Sequence, residues 1–228
     1  MTASQRRRPA LDPLSRQILD LIHRRNLRVG DPIPTELELI DELAVSRNSV
    51  REAVRALRAL GIVDIRHGHG TFVGDAPLAA LSPSLAFRAV ADRSDDLTGL
   101  RDLVDLREIV EVGVVERLAG ALPTSTLDTL DALCDEMAAT HLDPDVDRRF
   151  HQTLYATLDN RLVGQLVEAF WDAYEAARAA LTVSTDVDAA HTVAGHRAIV
   201  AALRAGDTDA ARTAMHDHFT DIKHRLSR

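Results

Sequence analysis

SRNSVREAVRALRALGIVDIRHGHGTFV, residues 46–73, decides the fold of the front of this chain. Ser46 is placed as an N-cap, and Val50, Val54 and Leu57 recur at helical spacing behind it, so the segment opens as a helix with an inward apolar face. Gly61 ends that helix. Two β-rich runs follow, Ile62-Val63-Asp64-Ile65-Arg66 and Thr71-Phe72-Val73, around the glycine-rich tip His67-Gly68-His69-Gly70, which reads as a hairpin. Arg47, Arg51 and Arg55 are four residues apart, drift only about 40° per step and form one basic stripe, extended by Arg58 and interrupted only by Glu52. A solvated helix face usually mixes signs, as residues 36–42 do, so the stripe leaves two readings: a plain solvent face, or contact with nucleic acid.

Working toward the N-terminus, Leu14, Ile18, Leu21 and Ile22 mark a helix after the Asp12-Pro13 start signal. Gly30-Asp31-Pro32 breaks it, and Pro34-Thr35-Glu36 opens a second helix carrying Leu37, Leu39, Ile40 and Leu43, with a short turn at Ala44-Val45. Three short helices followed by a hairpin form a winged helix-turn-helix, expected over residues 10–75. Toward the C-terminus, residues 76–83 read as a linker bounded by prolines Pro77 and Pro83. Residues 84–228 are helical almost throughout, with breaks at Pro123, Pro144, Asn160 and Gly206 and no strand pattern after Val73. The expected class is mainly α: the winged helix plus an all-α bundle of about seven helices.

Charge divides along the same line. The 228 residues carry a net charge of −8, yet residues 1–75 hold 12 arginines against 10 acidic residues, which leaves a net −10 for the remainder. No run of 18 apolar residues exists, which excludes a membrane-spanning helix, and the basic start leads into no apolar signal core, so a cytoplasmic location is expected. The single cysteine, Cys134, excludes an intrachain disulfide and any multi-cysteine zinc module. With aromatic residues at 4%, the core must be built from small aliphatic side chains.

In the acidic half, Asp147 and His151 are one helical turn apart on the face shared with Phe150, Leu154 and Leu158. His196 lies on the face of Val193, Ile199, Val200 and Leu203, and His218 on that of Ala214, Met215, Ile222 and Leu226; His216 falls on the opposite, solvent face. A single inward histidine is most often a satisfied core residue. Three histidines and a carboxylate on three helices of one bundle point instead to a shared partner, because burying each without one costs about 1–3 kcal/mol. Such a set suits one divalent metal per chain, zinc first, with nickel or manganese as alternatives, and leaves positions open for water or a chelating anion.

The stretch RVGDPIPTELELIDELAVSRNSVREAVRALRALGIVDIRHGHGTFVG, residues 28–74, resembles the DNA-binding domain of the GntR superfamily of bacterial transcription regulators. The resemblance implies a recognition helix at 46–58 in the major groove and a wing reaching the neighbouring groove, with DNA contacts from Thr35, Glu36, Ser46, Arg47, Asn48, Ser49, Arg51, Arg55, His67, Gly68 and His69. For the wing glycines a plain tight turn stands beside groove contact. Leu37 departs from the family pattern, which commonly has a DNA-contacting arginine there. DRRFH (147–151), HRAIVAAL (196–203) and MHDHF (215–219) resemble the all-helical effector (FCD) domain of the FadR subfamily. That resemblance implies a metal held by Asp147, His151, His196 and His218, and a small carboxylate, such as a sugar acid or hydroxy acid, bound at it. The family's RxxϕE pattern appears as Arg107-Glu108-Ile109-Val110-Glu111. Arg107 is then either an effector-binding clamp for a carboxylate or half of an intrahelical pair with Glu111. Asn160 matches a family asparagine and also reads as a helix cap.

The expected protein is a homodimeric regulator of a palindromic DNA operator, read as a repressor, whose affinity a small organic acid controls through the metal. A regulator that senses the metal itself is the alternative. A metal-dependent enzyme is disfavoured, since no general base stands beside the ligands in sequence.

Overall fold

The structure is a computed structural model and describes residues 11–91, 97–181 and 189–226, so the expected outer bounds at 10 and 228 lie outside the described residues. The chain forms two compact units, residues 1–80 and residues 81–228.

In the first unit, α1 (Pro13–Arg24) starts where Asp12 accepts the N–H groups of Leu14 and Ser15, each at 3.0 Å, with Pro13 in the first turn, where no N–H is needed. Helix α2 (Glu36–Leu43) is opened by a capping box between Thr35 and Glu38 and closed by Ala44 in the left-handed region at φ 51°. Ser46 then caps α3 (Arg47–Ala59), its hydroxyl accepting the Ser49 N–H at 3.2 Å. Strands β1 (Val63–Arg66) and β2 (Gly70–Val73) pair antiparallel, Val63 opposite Val73 and Arg66 opposite Gly70. Gly68 and Gly70 take φ of +78° and +111°, which suits the tip to glycine. Ile18, Leu21, Leu39, Val50, Val54, Leu57, Val63 and Val73 close the core of this unit. Each contributes roughly 1.5–3 kcal/mol by leaving water.

Residues 76–83, expected as a linker, hold a 3-10 turn at Leu78–Leu81 and the first turn of α4 (Ser82–Ala91). Pro83 lies at a position where proline favours helix initiation, so it starts an element instead of bounding a spacer.

The second unit comprises α4, α5 (Thr98–Leu118), α6 (Thr124–Ala139), α7 (Pro144–Tyr155), α8 (Arg161–Ala180), α9 (Ala189–Ala205) and α10 (Thr208–Arg225). Helix α5 is central and packs on α4, α8 and α10; α9 packs on α10 and α6, and α7 on α6 and α8. Its core is largely small aliphatic, as the composition requires, with Phe150 and Phe219 as the large inserts beside Leu100, Val104, Leu130, Leu154, Ile199 and Met215. Helices α5 and α10 run antiparallel. At one end Gly120 and Gly206 touch, and a Cβ on either would come within 3.4 Å of the other's Cα. At the other end Arg101 donates to the Leu226 carbonyl at 3.1 and 2.6 Å. No helix among the described residues is long and apolar enough to cross a membrane.

Candidate functional site

Two surfaces carry the polar chemistry, one in each unit. On the first, the N-terminal turn of α3 presents Arg47, Asn48 and Ser49, all exposed, beside Arg51, whose Nε lies 4.0 Å from Glu36 on α2. Arg47 has no ion-pair partner among the described residues, while Arg55 is neutralised by Glu52 at 2.6 Å. The Ser46 and Ser49 hydroxyls are bonded to each other at 2.9 Å. Thr35 is committed to its own helix: its N–H and hydroxyl both donate to Glu38, at 2.7 and 2.8 Å. Glu38 is a partner that the sequence reading did not name, although T-x-x-E is a capping-box spelling. His67, Gly68 and His69 stand exposed at the hairpin tip.

In the helical unit, α7 supplies Asp147 and His151, α9 supplies His196 and α10 supplies His218, and the four converge. One ring nitrogen from each histidine lies within 4.8 Å of those of the other two. Asp147 Oδ1 lies 2.9 Å from His196 Nε2 and 3.6 Å from His151 Nε2. Phe150 packs edge-on against His196 and walls the cluster. Cys134 does not join, and burial pushes its thiol up to about 12.

Outer hydrogen bonds set the histidine tautomers. His196 Nδ1 lies 2.9 Å from the Thr192 carbonyl, which can only accept, so Nδ1 carries a proton and Nε2 is turned to the centre. His151 Nδ1 faces Glu111 at 3.2 Å and Tyr155 Oη at 3.3 Å, which turns its Nε2 to the centre in the same way. Burial, with His196 and His151 alongside, pushes His218 well below the ordinary imidazole range. Burial opposes ionisation of Asp147, but His196 and the neighbouring rings hold its carboxyl well below the usual range.

Asp147 Oδ1, His151 Nε2 and His196 Nε2 are all buried without a hydrogen-bond partner among the described residues. Three such atoms facing one point, at about 1–3 kcal/mol each, would be a large penalty for a packing accident. Imidazole nitrogens and a carboxylate are the donor set that a borderline divalent metal accepts, so the residues present fit one.

Behind the cluster lies a second layer. Arg107 is 2% and Glu111 0% exposed, and Arg107 Nε donates to Glu111 Oε1 at 3.0 Å. Tyr155 donates its hydroxyl to Glu111 Oε2. Burial opposes the Glu111 charge, but Arg107 and then His151 pull its carboxyl down to about 2. The guanidinium is stacked 4.5 Å over Trp171 and 5.4 Å from Phe219. Its Nη2 has no hydrogen-bond partner among the described residues. Arg107 therefore makes the intrahelical pair and still keeps one N–H edge free, so the two readings open in the sequence are not exclusive. Arg107, Asp147, Trp171, Thr192 and His218 line one cavity of about 430 Å³. Tyr155, Trp171 and Thr192 were missed from the sequence; only Tyr155, one turn after His151, left a signal there. Asn160 caps α8 through the Leu162 N–H at 3.1 Å and does not line this cavity. His216 is exposed, as expected, but its Nδ1 lies 2.6 Å from Glu108.

The model of the family described as "Bacterial regulatory proteins, gntR family" matches residues 13–73, and that of the FCD domain matches residues 102–221. The chain is 26% identical over 215 residues to the HTH-type transcriptional regulator LutR of Bacillus subtilis, covering 91% of this chain and 96% of that one. It is 26% identical over 189 residues to the galactonate operon transcriptional repressor of Escherichia coli, covering 81% and 82%. Among solved structures, Streptococcus agalactiae GntR superposes with a TM-score of 0.63 at 25% identity, over 94% of this chain and 99% of that one. A DNA-binding winged helix at the front and a helical ligand-type domain behind it thus have one explanation: the chain belongs to the gntR family of bacterial regulatory proteins, as a transcription regulator with an FCD domain, and is not an enzyme.

Proposed function

We propose that this regulator represses a metabolic operon and is released from a palindromic operator when a small hydroxy or sugar acid binds beside a divalent metal in the helical domain. The observation that carries the reading is the free Nη2 edge of Arg107, buried and lining the same cavity as Asp147 and His218. A desolvated guanidinium edge is a receptor for a carboxylate, and a sensor of metal alone has no use for it. Asp147, His151, His196 and His218 would hold the metal, zinc in the first instance, and when bound it would supply a Lewis-acid anchor for an acid oxygen. Glu111 orients His151, the Thr192 carbonyl orients His196, and Trp171 fixes the guanidinium plane. The relative named for a galactonate operon supports an acid of the sugar-acid class.

On DNA, Arg47 and Arg51 would meet bases or phosphates, with Asn48 and Ser49 at the same helix end and His67 to His69 in the next groove. One recognition helix reads only a few base pairs, so two copies are expected to act in the cytoplasm as a homodimer. Leu106 and, at 72% exposure, Ile109 on α5 are the apolar residues such pairing would cover. The deciding experiment is a gel-shift titration of zinc-loaded protein on its operator with a panel of hydroxy and sugar acids, each repeated after chelation. Release by an acid only in the metal-loaded state supports the reading. Release by zinc alone, indifferent to every acid, would replace it with direct metal sensing.

A further inference from the structure

Six buried side-chain polar atoms lack a hydrogen-bond partner among the described residues. Three belong to the proposed metal ligands and one to Arg107. Ser82 Oγ is apart from the cavity, leaving Thr192 Oγ1 as the one cavity-lining orphan that neither the metal nor the carboxylate clamp accounts for. Thr192 is 9% exposed and sits on α9 one turn before His196. Residues four apart share a helix face, so its hydroxyl stands on the face that carries the ligand. Its backbone carbonyl is already occupied by His196 Nδ1 at 2.9 Å, so the residue is held in place by the main chain while its side chain is left over. A threonine in a helix ordinarily turns its hydroxyl back to the carbonyl of the preceding turn, as Thr213 does to Asp209 at 2.8 Å and Thr220 to His216 at 3.0 Å. Thr192 does not.

Building on the acid-effector reading above, we infer that Thr192 is a specificity-determining residue whose hydroxyl bonds a hydroxyl of the acid and so selects hydroxy acids over their deoxy analogues. The chemistry suits the position. A hydroxyl both donates and accepts, so it can pair with an alcohol of either orientation, whereas Arg107 can only donate and is matched to carboxylate oxygens. Carboxylate at Arg107 and alcohol at Thr192 define a two-point fit across one cavity. An acid without the alcohol leaves Thr192 Oγ1 desolvated and unpaired, and sites built around a hydroxyl discriminate against ligands lacking it for that reason.

The test is calorimetric titration of zinc-loaded wild type, Thr192→Val and Thr192→Ser with matched pairs: malate and succinate, lactate and propionate, galactonate and 2-deoxygalactonate. Zinc content is measured on each protein. The inference expects Thr192→Val to keep its zinc, to lose about tenfold in affinity for the hydroxy member of the pair that binds, and to bind the deoxy member as well as wild type or more tightly, since no hydroxyl is left unpaired. Thr192→Ser should retain the discrimination. An unchanged hydroxy-to-deoxy ratio in Thr192→Val would assign selectivity to the metal alone and overturn the inference, as would equal weakening of both members. Loss of zinc from Thr192→Val would show that the hydroxyl serves the metal shell and overturn it as well. Failure of wild type to bind any acid would remove the acid-effector reading itself, an outcome separable from the others because it needs no variant.

Discussion

Replacing Glu111 by glutamine is the sharpest probe of the helical domain, because among the described residues that carboxylate is the only ion-pair partner of a cation 2% exposed. Glutamine keeps the shape and removes the charge. Arg107 is then left buried beside Trp171 without a counter-ion, and breaking one side of a buried pair costs about 3–5 kcal/mol. A second route gives a similar size: holding Glu111 at about 2 instead of 4.5 is worth roughly 3 kcal/mol at 1.36 kcal/mol per unit. For a chain of this length 1 kcal/mol moves the melting temperature by about 2–4 °C, so metal-free Glu111→Gln should melt roughly 6–12 °C below wild type at pH 7. Glutamine also offers one acceptor oxygen where glutamate offers two, so Arg107 and the Tyr155–His151 pair compete for it, and zinc affinity should fall about 10–100-fold through a residue that does not touch the metal. Thermal unfolding followed by circular dichroism, and competition titration with a zinc chelator, measure the two effects. A melting temperature within 2 °C of wild type together with unchanged zinc affinity would refute the network as drawn.

Arg47→Ala and Arg51→Ala should each weaken operator binding by about 1–3 kcal/mol in fluorescence anisotropy if they read bases, and Arg51→Ala has in addition its contact with Glu36 to lose. His151→Ala should abolish zinc uptake measured by elemental analysis, while His216→Ala, bound outward to Glu108, should keep one zinc per chain; equal loss in both would sink the ligand assignment. Arg107→Ala should leave zinc content intact and remove the response of operator affinity to acid. Ile109→Glu should shift the protein toward monomer in light scattering, and an unaltered mass would place the pairing surface elsewhere.

Much of this was legible in the sequence because it is written in local spacing. The caps at Asp12, Thr35 and Ser46, the inward Val50, Val54 and Leu57, and the glycine tip of the hairpin need only near neighbours to be read, and they fixed the winged helix to within a residue or two. The inward faces of Asp147, His151, His196 and His218 followed from the same periodicity. What periodicity does not hold is distance across the bundle. Thr192 looks like any first-turn threonine, and Trp171 like any core aromatic, until α9 and α8 are brought around Arg107. The choice between pair and clamp at Arg107 was not decidable from spacing, since i,i+4 with Glu111 shows that a bond is available and says nothing of the three nitrogens of the guanidinium separately. The proline at 83 misled as a boundary because the same residue stops one element and starts another.

The contact between Gly120 and Gly206 gives the domain a mechanical asymmetry. Where two backbones meet with no side chain between them, there is no compressible layer, so α5 and α10 are riveted at that end. Any sliding or splaying of the two helices must turn about the rivet and grow with distance from it. His218, Arg107 and Glu111 sit partway along the arm, and the far tip is the part-buried Arg101 clasp on the Leu226 carbonyl. A pivot at that end would make any relative displacement of α5 and α10 largest at the start of α5. Alanine at either glycine would loosen the rivet and spread the same adjustment along the whole arm, dulling the stroke while leaving the grip of the site in place.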